Sequence, residues 1–183
     1  ATYEGCNSDY TGKGIDQLKN VIRELKENPF SRRIILSSWN VGDLDKMALP
    51  PCHILAQFYV RDEIINNKSL RYLDCQLCQR SGDMFLGVPF NIASYSVLVY
   101  IICKILDYIP GNLFFVIGDT HIYNNNIDAA KKLLENTPRP FPKLHIDTSH
   151  IKNNEDILDT LTLDNFSLQD YNNCGYIPAP MAL

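Results

Sequence analysis

The sequence predicts an α+β fold in which a mixed β-sheet packs around one long, buried central helix. Three observations support this prediction. Residues 88–106 form the most apolar stretch of the chain, and residues 91–106 are long enough for a central helix. Segments with a strand pattern precede and follow that stretch. Residues 15–25 repeat apolar side chains at helical spacing, which adds an amphipathic helix.

Size and charge limit the possible classes of protein. The 183 residues (20.9 kDa) suit one domain over residues 1–183. A net charge of −4 argues against a surface for generic nucleic-acid binding, so a few local arginines are expected to hold any anionic ligand.

The apolar stretch is interrupted by Pro89, Asn91, Ser94 and Ser96, which favours a buried helix over a membrane span. Six irregularly spaced cysteines and no signal peptide predict free thiols in a reducing, cytoplasmic compartment.

The first half of the chain begins with a helix and continues with strands. The helix is predicted over residues 15–25, and Asn28-Pro29 ends it because the residue before a proline disfavours helical conformation. A buried strand over residues 34–39 and a polar loop over residues 40–45 follow. Strands are predicted over residues 52–60 and 70–79, joined by the polar loop "RDEIINNKS".

The second half starts with the central helix over residues 91–106. A short apolar strand is predicted over residues 113–117, and a helix over residues 121–135 with an apolar inner face. The proline-rich loop "NTPRPFPK" leads into a strand over residues 144–146. A short helix at "NNEDILDTL" and an irregular tail complete the chain.

Cys52 follows two prolines and opens an apolar strand. Its residue type allows a core thiol, a metal ligand, half of a disulfide or a nucleophile. Alternation along the strand separates Cys52 from His53, so a Cys-His dyad is disfavoured and an arginine is the better stabiliser of a thiolate. Cys75 and Cys78 form "CQLC", but strand residues three apart lie on opposite faces and no second pair has zinc spacing. We interpret both as structural.

Residues 79–95, "QRSGDMFLGVPFNIASY", are the richest in binding chemistry. Arg80, the Ser81 hydroxyl and nearby backbone N–H groups suit a phosphate, and Asn91 offers both a donor and an acceptor to the amide edge of a pyrimidine. A plain turn with a nearby helix cap is the alternative. His121 and Tyr123 suit a sugar hydroxyl or are ordinary core and cap residues.

Several blocks resemble the hallmark segments of thymidylate synthases and occur in that family's order. They are "RRIILSSWN", "DLDKMALPPCH", "QFYV", "CQLCQRSGDMFLGVPFNIASY", "GDTHIY" and "PRPFPKL". Together they cover most of residues 32–144, and the final "APMAL" resembles the family's C-terminal end. The resemblance implies a thymidylate synthase-like fold.

The resemblance also implies an activity: methyl transfer in nucleotide biosynthesis, by reductive methylation of dUMP to dTMP. The cosubstrate 5,10-methylenetetrahydrofolate would supply both carbon and hydride, without a metal or a separate cofactor. In this mechanism the Cys52 thiolate adds to C6 of the uracil ring, and C5 then attacks the activated methylene. Loss of the C5 proton and of tetrahydrofolate leaves an exocyclic methylene, which hydride transfer converts to methyl.

Residue roles follow from the same resemblance. It implies catalytic roles for Cys52, Arg80, Asp83 and Asn91. It implies dUMP binding by Arg32, Arg33, Gln79, Arg80, Ser81, Gly82, Asp83, Asn91, His121 and Tyr123. It implies folate binding by Asp83, Leu86, Gly87, Phe90 and Ala182. The implied assembly is a C2 homodimer in which Arg32 and Arg33 reach the partner's site, with no membrane or DNA partner.

Departures from the family leave alternatives open. The family's chain is normally longer, and its extra segment, which would precede Ala1, carries a phosphate-binding arginine, a glutamate and a tryptophan. The chain could therefore be a truncated, non-catalytic paralogue that acts as a dimerisation partner, or a piece of a fused dihydrofolate reductase–thymidylate synthase. A hydroxymethylase of the same fold acts on dCMP and carries an acid where Asn91 stands. Residues 62–70 look longer than the usual turn, and Asn126 replaces a common histidine.

Overall fold

The structure is a computed structural model that describes Gly12 and residues 14–181. Ten main elements follow one another along these residues: α1 (Gln17–Glu27), β1 (Ile35–Ser37), β2 (His53–Ile65), β3 (Lys68–Asp83), α2 (Gly87–Leu106), β4 (Ile109–His121), α3 (Ile127–Leu134), β5 (Lys143–Ile146), α4 (Ile157–Thr160) and β6 (Phe166–Gln169). Asp16 caps α1, since its carboxylate accepts a hydrogen bond from the Lys19 N–H.

The main sheet has four strands in the order β1-β2-β3-β4. The first two pairings are antiparallel and the β3–β4 pairing is parallel, so the sheet is mixed, as predicted. A parallel pair needs a crossover connection, and α2 provides it. Strands β5 and β6 form a separate antiparallel pair.

One face of the main sheet, which we call the helix-side face, packs under α1 and α2 and forms the core. Ala56, Phe58 and Val60 alternate with more exposed neighbours along β2 and are almost completely buried. The same core includes Val21, Leu25, Ile34, Leu73, Cys75, Leu77, Val99, Ile102 and Cys103. The α+β prediction is thus confirmed, with the sheet and the central helix enclosing a single core.

The central helix α2 packs on β3 and β4 along one side. Val88, Val99 and Ile102 are buried there, whereas Phe90 is 74% exposed at the opposite side. The helix is long and apolar enough to cross a bilayer by length and composition, a criterion that core helices also meet. The prediction of a buried helix therefore holds for its sheet-facing side within this chain.

The predicted loop over "RDEIINNKS" is wrong. Strands β2 and β3 continue to a two-residue turn at Asn66 and Asn67, whose φ values are 52° and 60°, and the ladder closes at Ile65 and Lys68. This outer part, residues 61–71, extends beyond the paired region of β1 and the start of β4. Because it is a two-stranded ribbon with little cover, its composition is polar and the strand alternation is masked. The long segment 62–70 is therefore a hairpin tip.

Other boundaries also shift. Strand β4 runs from Ile109 to His121, well beyond the predicted residues 113–117, because it pairs with β3 along most of its length. The helix predicted from residue 121 begins at Ile127, after a short 3₁₀ turn at Asn124–Asn126. The tail predicted to be irregular contains β6.

Candidate active site

The predicted site residues from the middle of the chain meet at one end of the main sheet. Cys52 immediately precedes β2, and the Arg80 N–H donates to its carbonyl oxygen at 2.9 Å. The register pairs His53 with Gln79, and the parallel ladder pairs Ser81 with Asp119. The first turn of α2 begins a few residues after β3 ends. The strand ends and the helix start therefore meet at this end of the sheet, a region that we call the groove.

Arg80 is anchored to the segment that carries Cys52. Its Nε donates to the Pro51 carbonyl at 3.2 Å and its Nη2 to the Pro50 carbonyl at 2.7 Å. A guanidinium has five N–H donors, so these two bonds orient its plane and occupy only part of its donor set. Strand alternation directs Arg80 to the face opposite Gln79 and Ser81. The positive charge thus lies beside the Pro-Pro-Cys turn, as an anion-binding arginine near Cys52 requires.

Cys52 is more exposed than Cys75 and Cys103, and this difference affects the reactivity of the thiols. Burial raises the pKa of the Cys75 thiol to about 12, and it raises the pKa of the Cys103 thiol to about 12. Both thiols therefore stay protonated at neutral pH and are poor nucleophiles. Cys52 is only half-buried. Cys78 is also half-buried but lies on the face opposite Cys75, as strand alternation predicts.

A hydrogen-bonded pair of amides links β3 to α2. Gln79 is 3% exposed, and its Nε2 donates to the Asn91 Oδ1 at 3.1 Å. The same Nε2 also reaches the Ser81 carbonyl at 3.4 Å. The Gln79 donor therefore fixes which way the Asn91 amide faces, leaving the Asn91 Nδ2 group to donate elsewhere. The Gln79 Oε1 is buried without a partner among the described residues, which suits a site that a ligand or water completes.

His53 joins this amide pair, although the sequence pattern did not single it out. Its ring lies edge-on to Tyr95, with centroids 5.3 Å apart. Burial lowers the pKa of His53, and a hydrogen bond with Asn91 partly opposes that effect. The imidazole is thus a neutral partner of Asn91 at pH 7. The available sequence signal was its place directly after Cys52. Strand alternation was used only to argue against a dyad with that cysteine, so a role beside Asn91 was not predicted.

The turn between β3 and α2 brings together most of the predicted folate-binding residues. Asp83 accepts a hydrogen bond from the Phe85 N–H at 3.0 Å, which shapes the turn. A Cβ at Gly82 would lie 3.0 Å from the Val88 side chain and 3.1 Å from Ile117, so α2 and β4 pack against this glycine. A Cβ at Gly87 would lie 3.6 Å from Asp83 and 3.8 Å from the Asn91 Oδ1.

Leu86 and Phe90 flank this turn, and Phe90 is mostly exposed. The remaining predicted folate contact, Ala182, lies outside the described residues. Nearby, the Asn125 Nδ2 donates to the Pro180 carbonyl at 3.4 Å, so the C-terminal segment approaches the end of β4. That the tail covers the groove stays a prediction.

The end of β4 holds His121 in several ways. Its backbone carbonyl accepts from the Met84 N–H at 2.9 Å, and the ladder pairs it with Asp83. Its Nδ1 lies 3.0 Å from the Asp119 Oδ1. The Tyr123 ring packs edge-on at a centroid distance of 4.9 Å. His121 and Tyr123 therefore lie together, as a shared sugar contact requires.

Arg32 and Arg33 lie away from this groove in the same chain. The Gln57 side chain donates to the Arg32 carbonyl, and the Phe58 N–H donates to the Ile34 carbonyl. The arginines are thus level with residues 57–59 of β2, five to seven residues along from Cys52. At about 3.3 Å per residue this is roughly 20 Å, which is farther than an arginine side chain extends. Both arginines are exposed.

Other features of the described residues lie apart from the groove. A cavity of about 390 Å³ is lined by residues of α1, by Ile105 and Leu106 of α2, and by Glu155 and Leu158. Ile105 is 14 residues from Asn91, or about 21 Å along the helix. Within residues 14–181 no group of three or more His, Cys, Asp or Glu side chains is arranged to hold a metal.

A family model described as thymidylate synthase matches residues 3–183 of this chain. The chain belongs to the thymidylate synthase family. It is 51% identical to the thymidylate synthase of Saccharomyces cerevisiae, over 94% of this chain and 55% of that protein. It is 49% identical to the thymidylate synthase of Ascaris suum, over 100% of this chain and 58% of that protein.

Fused relatives match as well. The bifunctional dihydrofolate reductase-thymidylate synthase of Zea mays is 48% identical over 97% of this chain and 31% of that protein. The chain thus spans just over half the length of the single-function thymidylate synthases above and about a third of the fused one. Membership of the thymidylate synthase family confirms the resemblance on which the site residues were predicted, while their individual roles stay predictions.

Proposed function

We propose that this chain forms the catalytic region of a thymidylate synthase that methylates dUMP reductively to dTMP, using 5,10-methylenetetrahydrofolate. The observation that carries the proposal is the meeting of Cys52, Arg80 and Asn91 at one end of the sheet. Arg80 is anchored on the turn that presents Cys52, and Gln79 orients Asn91. A thiol, a phosphate-binding cation and an oriented amide are the groups that covalent chemistry on a uracil nucleotide needs.

The oriented amide favours uracil over cytosine. Asn91 can donate from Nδ2 to the O4 carbonyl of uracil and accept the N3–H on Oδ1, which the Gln79 Nε2 already polarises. An acid at this position would favour cytosine, so Asn91 supports dUMP over a dCMP hydroxymethylase. His53, as a neutral ring, also bonds the Asn91 side chain.

The remaining residues position the nucleotide and exclude water. Arg80 and Ser81 bind the phosphate, and the Cys52 sulfur adds to C6. His121 and Tyr123 hold the ribose 3′-hydroxyl. Asp83, Leu86, Gly87 and Phe90 form the wall that faces the folate, which supplies the carbon and the hydride and leaves as dihydrofolate. The C-terminal segment around Pro180, which contacts Asn125, covers both ligands.

Covalent trapping tests this proposal. The chain is incubated with 5-fluoro-dUMP and methylenetetrahydrofolate, and its intact mass is measured. Fluorine at C5 cannot leave as a proton does, so a competent site accumulates a covalent ternary adduct. We expect the adduct in the parent chain and in Cys174→Ser, which removes an exposed thiol, and its loss in Cys52→Ser. A folded parent chain without adduct would contradict catalytic competence, and an adduct that persists in Cys52→Ser would contradict the role of Cys52.

We also propose a homodimer that buries the outer face of the main sheet, opposite the helix-side face. Large apolar side chains are exposed there. The most exposed are Ile35 (44%), Tyr59 (54%), Phe114 (51%) and Val116 (50%). Exposed apolar patches of this kind mark association surfaces. Arg32 and Arg33 lie at the β1 edge of the same sheet, too far to serve the groove of their own chain, so the partner's groove is the site they fit.

Complementation between subunits tests the shared site. Cys52→Ser and the double variant Arg32→Ala/Arg33→Ala are each expected to lose adduct formation. Mixed dimers formed by dissociation and reassociation should recover part of it, because one of the two grooves then has both an intact thiol and the partner's arginines. Sedimentation gives the oligomeric state. A monomer at micromolar concentration, or no recovery in mixed dimers, would contradict the shared site.

A further inference from the structure

The scheme above gives His121 a contact with the ribose 3′-hydroxyl but gives its neighbour Asp119 no role. Asp119 lies two residues before His121 on β4, so both side chains leave the strand on the same face. The Asp119 Oδ1 and the His121 Nδ1 are 3.0 Å apart. The His121 side chain is 30% exposed and that of Asp119 is 72% exposed. The carboxylate is thus aimed at one ring nitrogen, although it is free to point to solvent.

The position of Asp119 argues against an incidental contact with His121. The parallel ladder pairs Asp119 with Ser81, the residue proposed to bind phosphate. A carboxylate near a dianionic phosphate weakens binding by Coulomb repulsion, so its presence there has an electrostatic cost. The cost is understandable if the carboxylate serves a neighbouring group that also touches the nucleotide. His121 is that group.

We propose that Asp119 is a positioning residue that fixes the tautomer of His121 and thereby makes the site select nucleotides with a ribose 3′-hydroxyl. In the tautomer whose Nδ1–H donates to the Asp119 carboxylate, Nε2 is the acceptor. The Met84 N–H holds the His121 backbone carbonyl, and the edge-on Tyr123 ring packs against the imidazole. A 3′-hydroxyl can then donate to Nε2. The inference rests on the proposed binding of dUMP.

The test compares dUMP with 2′,3′-dideoxyuridine 5′-monophosphate, which lacks only the 3′-hydroxyl. Dissociation constants of both nucleotides are measured by calorimetry for the parent protein, Asp119→Ala and Asp119→Asn. Both nucleotides carry the same phosphate, so their ratio cancels any change in phosphate repulsion. One neutral hydrogen bond corresponds to a roughly 2- to 10-fold preference, which we expect in the parent and expect to fall towards 1 in Asp119→Ala.

The asparagine variant separates positioning from charge. Its side-chain oxygen can still accept from Nδ1–H, so Asp119→Asn should keep most of the preference for dUMP. Asp128→Ala is the matched control, because it removes an equally charged but fully exposed carboxylate from the start of α3 and should leave the preference unchanged. Circular dichroism and urea unfolding establish that each variant is folded.

The possible results distinguish the inference from the proposed function. A preference that survives in Asp119→Ala would overturn the positioning role while leaving dUMP binding intact. Equal losses in the alanine and asparagine variants would also overturn it, since charge and not the acceptor would then matter. A parent protein that binds neither nucleotide would contradict the proposed function itself.

Discussion

Replacing Asp74 with alanine should destabilise the protein strongly, although the residue lies far from the proposed chemistry. Asp74 is 6% exposed on β3. Its Oδ1 accepts from the Asn112 N–H at 2.6 Å, and its Oδ2 accepts from the Arg61 Nε at 2.9 Å. The alanine variant leaves both donors without this partner. In the parent protein, the Asp74 carboxylate joins the hairpin, β3 and the start of β4 through these two charge-assisted bonds.

The size of the stability loss depends on the burial of Asp74 and on the contacts that Arg61 retains in the variant. Removing one member of a buried ion pair costs about 3–5 kcal/mol. Arg61 is 29% exposed, also pairs with Glu63, and stacks over the Tyr72 ring at 4.5 Å. These contacts reduce the penalty, so we expect Asp74→Ala to lower the free energy of unfolding by about 2–4 kcal/mol. Asp74→Asn should lose less, because an amide oxygen can still accept from the Asn112 N–H.

Urea unfolding followed by circular dichroism measures this change. All variants are compared at one protein concentration, because self-association on the outer sheet face would otherwise alter the midpoint. Asp62→Ala is the control, since Asp62 also pairs with an arginine of the hairpin, Arg71, at 2.8 and 3.0 Å. That pair is solvent-exposed, and we expect little change. Equal losses in Asp62→Ala and Asp74→Ala would refute the argument that burial sets the cost.

Three further predictions concern the groove and the hairpin. Burial lowers the pKa of His53, so the unfolded chain binds a proton more readily: the stability contributed by the neutral ring is complete above about pH 6.5 and should decline as the pH falls below it, measured by urea unfolding between pH 5.5 and 7.5. A Cβ at position 118 would lie 2.8 Å from the Arg80 carbonyl, so Gly118→Ala should cost about 1–3 kcal/mol in urea unfolding and weaken dUMP binding in calorimetry. At Asn67, with φ of 60°, glycine should be neutral or slightly stabilising and valine should cost about 1–2 kcal/mol in urea.

Each of these has its own control. His53→Gln should flatten the pH dependence below 6.5, and an unchanged slope would assign it to another group. Gly42→Ala has space for its Cβ, 3.7 Å from the nearest atom, so a loss equal to that of Gly118→Ala would show that crowding at Arg80 is not the cause. At the turn, identical stability of the glycine and valine variants would contradict the left-handed geometry.

Strand and helix identity could be predicted where burial differs between faces. Ala56, Phe58 and Val60 alternate with more exposed neighbours, and that pattern is visible in the letters alone. The hairpin tip could not be predicted in this way, because Arg61, Asp62 and Glu63 lie on a ribbon with little cover on either face. The end of β4 was hidden for a related reason, since Gly118–His121 is a polar strand segment facing the groove.

Some residues of the candidate site could be predicted from the sequence and others could not. Residue chemistry singled out Cys52, Arg80 and Asn91, the family resemblance supplied their specific roles, and the structure places them at one sheet end. His53 was missed because its contact with Asn91 joins a strand to a helix 38 residues away in sequence, which no local pattern reports. The pairing of Asp119 with His121 depends on two side chains sharing a strand face, a relation that sequence allows but does not require.

The hairpin tip also bears on how this chain can change in length. Ile65 is 13 residues beyond Cys52 along β2, or roughly 40 Å, and neither β1 nor β4 accompanies the ribbon there. Adding two residues to each strand would prolong the ladder and keep every side chain on its own face, whereas adding one to each would exchange the faces of whatever lies beyond it. We therefore expect each strand of this tip to lengthen or shorten by two residues at a time, which leaves the distant groove undisturbed.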